Sequence, residues 1–271
     1  MTHTLLTLLG AALYLAAALL LWRGLTRAPL AGAARLGLLS LALGAVLLHG
    51  LILYHGLVRP GGLDLGLSNA LSLVAWTVSL LFVLAALNRP IESLGVLILP
   101  LAAAILVLGR LWPGGGTGTL PASPLLSAHI VISLLAYSLL SIAVIQSLML
   151  AVQERALRSH QPHGMLRALP PLETMEGLMF QMIAVGFLLL TLTLISGVVF
   201  SEELFGRPLR FTHHVVLSLT AWVVFGVLLL GHWRFGWRGR IALRWTLSGF
   251  ILLVLAYFGS KFVLEVLLGR A

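Results

Sequence analysis

An all-α, polytopic membrane helix bundle with about eight transmembrane helices is the fold this sequence predicts, on two observations. Of its 271 residues, 60% are hydrophobic and only 9% are charged, with a mean hydropathy of +1.08. A soluble domain carries about 25% charge. Long stretches also lack any fixed charge, among them Arg35 to Arg59 and Glu176 to Glu202. A run of about 18 or more such residues is long enough to cross a bilayer.

The apolar windows place spans at 4–22, 36–56, 69–87, 93–111, 125–152, 177–198, 213–231 and 243–266, read together as one transmembrane domain, 1–271. The first lacks a basic leading region and a small-residue cleavage motif, so it reads as a retained helix. The second carries His49 and His55, and the fourth carries Pro100. Between the fifth and sixth lies a loop, about Gln153 to Thr174, with Pro162, Pro170 and Pro171. Glu173 and Glu176 open the sixth span, where carboxylates suit the positive end of the helix dipole. The seventh begins at His213 and His214, and the eighth ends near Lys261 and Glu265. That last pair is four residues apart and reads as a local ion pair.

Orientation follows from the arginines. One set of loops holds Arg23, Arg27, Arg35, Arg89, Arg155, Arg158, Arg167, Arg234, Arg238, Arg240 and Arg244; the opposite set holds Arg59, Arg110, Arg207, Arg210 and Arg270. The positive-inside bias then puts both termini on the outer side. The net charge of +9 comes from arginines scattered over short loops. With no basic run, this reads as topology and contact with anionic lipid, not nucleic-acid binding. The absence of cysteine excludes a thiol exchanger, a covalently attached c-type haem and an iron–sulfur site in this chain.

One phrase recurs: Ser-Leu-x-Ala-aromatic, at Ser72 to Trp76, Ser133 to Tyr137 and Ser218 to Trp222, preceded four residues earlier by Ser68, His129 and His214. Spacing of i, i+4, i+8 puts each set on one helix face. With the predicted topology, His49, His55, His129, His213 and His214 gather towards the outer side, and His232 stands at the inner end of span seven. Histidine at membrane depth is expected to face the bundle interior or a wet cavity, and neutral imidazole is a common ligand of transition metals and haem iron. A face with His129 and His214 as iron ligands, flanked by Tyr137, Trp222 and Trp76, suits a large flat apolar ring. Arg207 and Arg210 suit its carboxylates. His49, His232 and His213 are second-rank candidates for an inner or relay site. Each histidine also has a plainer reading, hydrogen-bonded to a backbone carbonyl; serines that pack helices and aromatics that form interfacial belts are equally ordinary.

Other chemistry has little to build on. The carboxylates Asp64, Glu92, Glu154, Glu173, Glu176, Glu202, Glu203 and Glu265 all lie at or near span ends. No Gly-x-Ser-x-Gly or His-Glu-x-x-His motif occurs, so no enzyme is expected. A transporter would show helices broken at matched depths in two halves, and Pro100 has no counterpart.

From His129 onward the chain resembles the CcsA/HemX-like cytochrome c assembly membrane proteins, most closely their short bacterial YpjD-type branch, over about 125–266. The residues that carry this are His129-Ile-Val-Ile-Ser-Leu-Leu-Ala-Tyr137, Gly186-Phe-Leu-Leu-Leu-Thr-Leu-Thr-Leu-Ile-Ser-Gly197, Ser218-Leu-Thr-Ala-Trp222, Gly236-Trp-Arg-Gly-Arg240 and Ala256-Tyr-Phe-Gly259. Upstream, Asn88-Arg89 and His49 are similar to the short branch. The resemblance implies an inner-membrane protein that handles haem, with external histidines as iron ligands and an apocytochrome or assembly subunit as partner. His129 falls on the first external histidine; His232 lies about two residues from a membrane-embedded family histidine. The chain departs from the pattern twice. Phe205-Gly-Arg-Pro-Leu-Arg-Phe-Thr-His-His214 stands where a Trp-Trp-Asp-type segment is expected, and Lys261 and Glu265 stand where a second external histidine is expected. The alternative to haem handling is a haem-free scaffold, an assembly partner or a regulator of haem synthesis.

Overall fold

The computed structural model describes residues 2–27, 32–60, 62–89, 91–112, 123–159, 169–199 and 213–267. All eight predicted spans are helices long and apolar enough to cross a membrane. They are α1 (Thr2–Arg27), α2 (Gly32–Leu57), α3 (Leu67–Asn88), α4 (Glu92–Leu111), α5 (Pro124–Arg158), α6 (Leu172–Val199), α7 (His213–Phe235) and α8 (Gly239–Leu267). The chain is a polytopic, all-α integral membrane protein. Two-residue strands at Val58–Arg59 and Gly62–Leu63 occupy the α2–α3 connection.

Several helices outrun the apolar windows. α5 continues through Gln153 to Arg158, where Arg155 and Arg158 sit in the last turn and complement the helix dipole. α6 starts at Leu172 with Glu173 in its first turn, as the dipole argument predicts. α4 runs unbroken through Pro100. α8 is less regular: Gly239–Val254 is α-helical, and wider π turns follow at Leu255–Gly259 and Val263–Leu267.

The chain divides into two compact units, one of Met1–Pro60, Asp64–Gly114 and Val152–Leu172, the other of Gly61–Leu63, Gly115–Ala151 and Glu173–Ala271. In the first, α1 packs on α2 and α4, and α3 on α2 and α4, around Tyr14, Leu21, Phe82, Leu94, Ile98 and Leu99, all essentially inaccessible. A bare Cα at Gly95 makes this possible, because a Cβ there would lie 2.4 Å from Phe82 Cζ and 2.7 Å from a Leu21 methyl. At one end of the unit Arg35 binds Glu92 at 2.5 Å and donates to the carbonyls of Ala86 and Arg89. The guanidinium thus caps the C-terminal end of α3, where orphan carbonyls and the negative dipole end meet.

In the second unit α7 packs against α8, around Ala221, Phe225, Leu228, Ala242 and Ala256. Gln146 on α5 donates to the Met175 carbonyl on α6 at 3.1 Å. The α7–α8 turn is Gly236-Trp-Arg-Gly239, with φ of 65° and 54° at its two glycines. Only glycine takes that backbone region without strain.

Candidate histidine and aromatic site

The second unit brings one end of four helices together: the starts of α5 and α7, and the far ends of α6 and α8. His129 and His214 both stand there, His129 against Ser196 of α6 and His214 against Tyr257 of α8. The His129 Nδ1 lies 2.8 Å from Ser196 Oγ on α6, and its ring rests on Gly197, with 3.6 Å from Cε1 to where a Cβ would be. The His214 ring meets Tyr257 of α8 edge-on, centroids 6.2 Å apart. Tyr257 in turn meets Tyr137 at 6.3 Å and Phe258 at 5.1 Å, and Lys261 Nζ lies 5.8 Å from its ring centre. Lys261 is bound to Glu265 at 3.3 Å, the local ion pair expected from their spacing.

Tyr137 is fixed by donating its hydroxyl to the Leu253 carbonyl at 2.8 Å, two residues before the π turn that carries Tyr257. A π turn disturbs the regular carbonyl pairing around it and is frequent at functional sites; a phenol donor at that place steadies the helix where it widens. Tyr257 stands within this turn and meets both Tyr137 and His214.

Trp222 lies elsewhere in the unit. Its ring stacks on Phe187 (5.4 Å, 20°) and its Nε1–H donates to Thr191 Oγ1 at 2.8 Å. Thr191 is five residues before Ser196, about 7.5 Å along the helix at 1.5 Å per residue. His213 is exposed at the first position of α7. Arg207 and Arg210 fall outside the described residues.

At the opposite end of the unit, His232 is tightly held. Its Nδ1–H donates to the Trp237 carbonyl at 2.9 Å, and its ring lies flat on Phe180 with centroids 3.5 Å apart. The glycine turn makes this contact, folding Trp237 back so that its backbone N–H also reaches the Gly231 carbonyl at 3.2 Å.

His49 belongs to the first unit and is wholly buried. Its Nδ1 lies 3.2 Å from the Tyr14 hydroxyl and its Nε2 2.9 Å from Ser72 Oγ. Neutral imidazole has one N–H and one lone pair, so both are used. Trp76, in the same unit, donates its Nε1–H to the Val46 carbonyl at 2.9 Å.

The recurrent phrase therefore has three outcomes. Ser72 bonds a histidine from another helix; Ser133 donates back to its own-helix His129 carbonyl at 2.6 Å; Ser218 is buried without touching His214 in any recorded bond. Two site residues escaped the sequence reading, Ser196 and Tyr257. Both stand inside phrases that carried the resemblance, Ile195-Ser196-Gly197 and Ala256-Tyr257-Phe258-Gly259, so a signal was present but not weighed. Among the described residues no group of three or more His, Asp or Glu side chains could hold a metal ion.

These features define a multi-span helical membrane protein with histidines and tyrosines gathered at one end of its second unit. The chain belongs to the cytochrome c assembly protein family, whose model matches residues 36–268. That match also takes in α2, α3 and α4, upstream of the region where the motifs were legible. The chain is 34% identical over 230 residues to the inner membrane protein YpjD of Escherichia coli K12, covering 82% of this chain and 84% of the relative. It is 37% identical over 213 residues to a 28.8 kDa protein of Azospirillum brasilense, with 75% and 77% covered. A shorter stretch of 87 residues is 34% identical to the cytochrome c biogenesis protein CcsA of Prochlorococcus marinus, covering 32% of this chain and 27% of that one.

Proposed function

We propose that this protein binds or presents haem near the outer face of the inner membrane, where His129 and His214 would hold its iron. The observation that carries the reading is the gathering of His214, Tyr257 and Tyr137 at one end of the second unit, with His129 about two turns before Tyr137 on the same helix. The donor set fits the group. Histidine nitrogen is an ordinary haem ligand, Tyr257, Tyr137 and Phe258 offer apolar ring faces, and a chain without cysteine cannot form a thioether to the porphyrin. Haem, when bound, supplies the redox iron and the conjugated ring. The chain would bind and orient it, and itself make or break no covalent bond of the substrate. Lys261, with Arg207 and Arg210, is suited to the propionates. His232, held through Nδ1 at the other end, is the second-rank candidate for an inner-side ligand. Relatives named for inner-membrane residence and for cytochrome c biogenesis support the same reading; an apocytochrome or assembly subunit would be the recipient, and the arginine bias puts both termini outside.

Absorption spectroscopy tests it. Protein purified in mild detergent from haem-replete cells should show a strong Soret band, oxidised and reduced. The band should collapse in the His129→Ala, His214→Ala double variant, and full haem occupancy in that variant overturns the reading. A second reading, a haem-free scaffold or regulator, is favoured by the fact that Tyr137 and Trp222 both have structural hydrogen-bond partners. It predicts a colourless protein whose co-purifying partners survive every histidine substitution.

A further inference from the structure

We propose that Ser196 is a positioning residue that holds His129 as its Nδ1–H tautomer and leaves the Nε2 lone pair to a ligand; only the identity of that ligand, haem iron, rests on the reading above. Ser196 Oγ lies 2.8 Å from His129 Nδ1 and 3.0 Å from the Thr193 carbonyl oxygen. A serine hydroxyl has one proton to give and two lone pairs to accept with. With that proton on the Thr193 carbonyl, the oxygen accepts from Nδ1–H and both contacts are hydrogen bonds. With it on His129, the carbonyl contact is lost and a single bond remains. The first arrangement satisfies one polar contact more than the second. The two-bond arrangement wins, and with it the tautomer.

The same tautomer is imposed on His232 by an independent element. The Trp237 carbonyl, 2.9 Å from its Nδ1, can only accept. At both ends of the unit, then, a histidine gives its Nδ1–H to a fixed oxygen. Ligating histidines are held this way, which orients the ring and raises the basicity of the free nitrogen. His49 has no such vacancy, because hydroxyls occupy both of its nitrogens.

The test uses the full chain labelled with ¹⁵N-histidine, in micelles and without added haem, with the His129 signal assigned by its loss in His129→Gln. Wild type should show protonated Nδ1 and unprotonated Nε2 at neutral pH. Ser196→Ala should mix the tautomers and weaken haem retention by about 10–100-fold, the range for partners that orient a ligand. Ser196→Thr, which keeps the hydroxyl, should preserve both properties. An Nε2–H tautomer in wild type overturns the proposal, and needs no variant to fold. So does a tautomer unchanged in Ser196→Ala. If wild type takes up no haem yet loses its tautomer in Ser196→Ala, the haem reading fails and the positioning role stands.

Discussion

His49 in the first unit and His129 in the second are both membrane-helix histidines, and each meets a serine from another helix. Their surroundings part at the other nitrogen. His49 is closed off, with Tyr14 on one side and Ser72 on the other and no exposed surface. His129 is half-buried and, among the described residues, held at Nδ1 alone. A histidine with both nitrogens bonded ties three helices together and has nothing left to offer. One with a single bond is oriented and still has a ligand position. The distinction between a structural and a ligating histidine therefore lies in the count of partners, not in depth or residue type.

The largest expected effect breaks the comparison outright. His129→Ala should cut haem retention by more than the roughly 10–100-fold that orienting partners account for, while His49→Ala should leave the Soret band of folded protein unchanged. Spectra of the two purified variants side by side decide it: a band lost with His49 and kept without His129 would reverse the assignment. Next in size is packing of the first unit. Gly95→Leu sets a Cβ 2.4 Å from Phe82 Cζ, and overpacking of this kind costs about 1–3 kcal/mol. Thermal unfolding in detergent should show the loss.

Tyr14→Phe sharpens the same contrast at smaller scale. It removes the hydroxyl that pairs with His49 Nδ1, and a buried polar group left unpaired costs about 1–3 kcal/mol. Equilibrium unfolding should fall by that amount with haem occupancy intact. A Tyr14→Phe protein that keeps its stability and loses its haem would mean that His49 belongs to the ligand site.

The helices were legible because hydropathy over about 20 residues is a local quantity; what they bring together was not. His129, Ser133 and Tyr137 share a face, as their spacing predicts, yet Ser133 turns back to its own carbonyl, the usual alternative for a helical serine. The bond that orients His129 comes from Ser196, 67 residues away, and no periodicity within one helix reports a partner on another. Tyr14 and His49 are likewise 35 residues apart. The π turn that presents Tyr257 has no sequence signature beyond the phrase containing it. Charge was more informative: Glu173 at the start of α6 and Lys261 with Glu265 on α8 stand where dipole and spacing arguments put them.

Trp222 supplies the finest test, because spacing groups it with His214 while its contacts group it with α6. Its indole has two separable attachments, the Nε1–H bond to Thr191 and the stack on Phe187. Trp222→Phe keeps a ring for the stack and removes the bond. Interhelical side-chain bonds in membranes average about 0.6 kcal/mol, so stability should fall by roughly that much and the Soret band should not move. If the band shifts while stability holds, the tryptophan reaches the bound ring and the tyrosine-lined site extends deeper along α7. If stability falls alone, Trp222 joins α6 to α7 below the histidines, and the site is bounded by Tyr257, Tyr137 and Phe258.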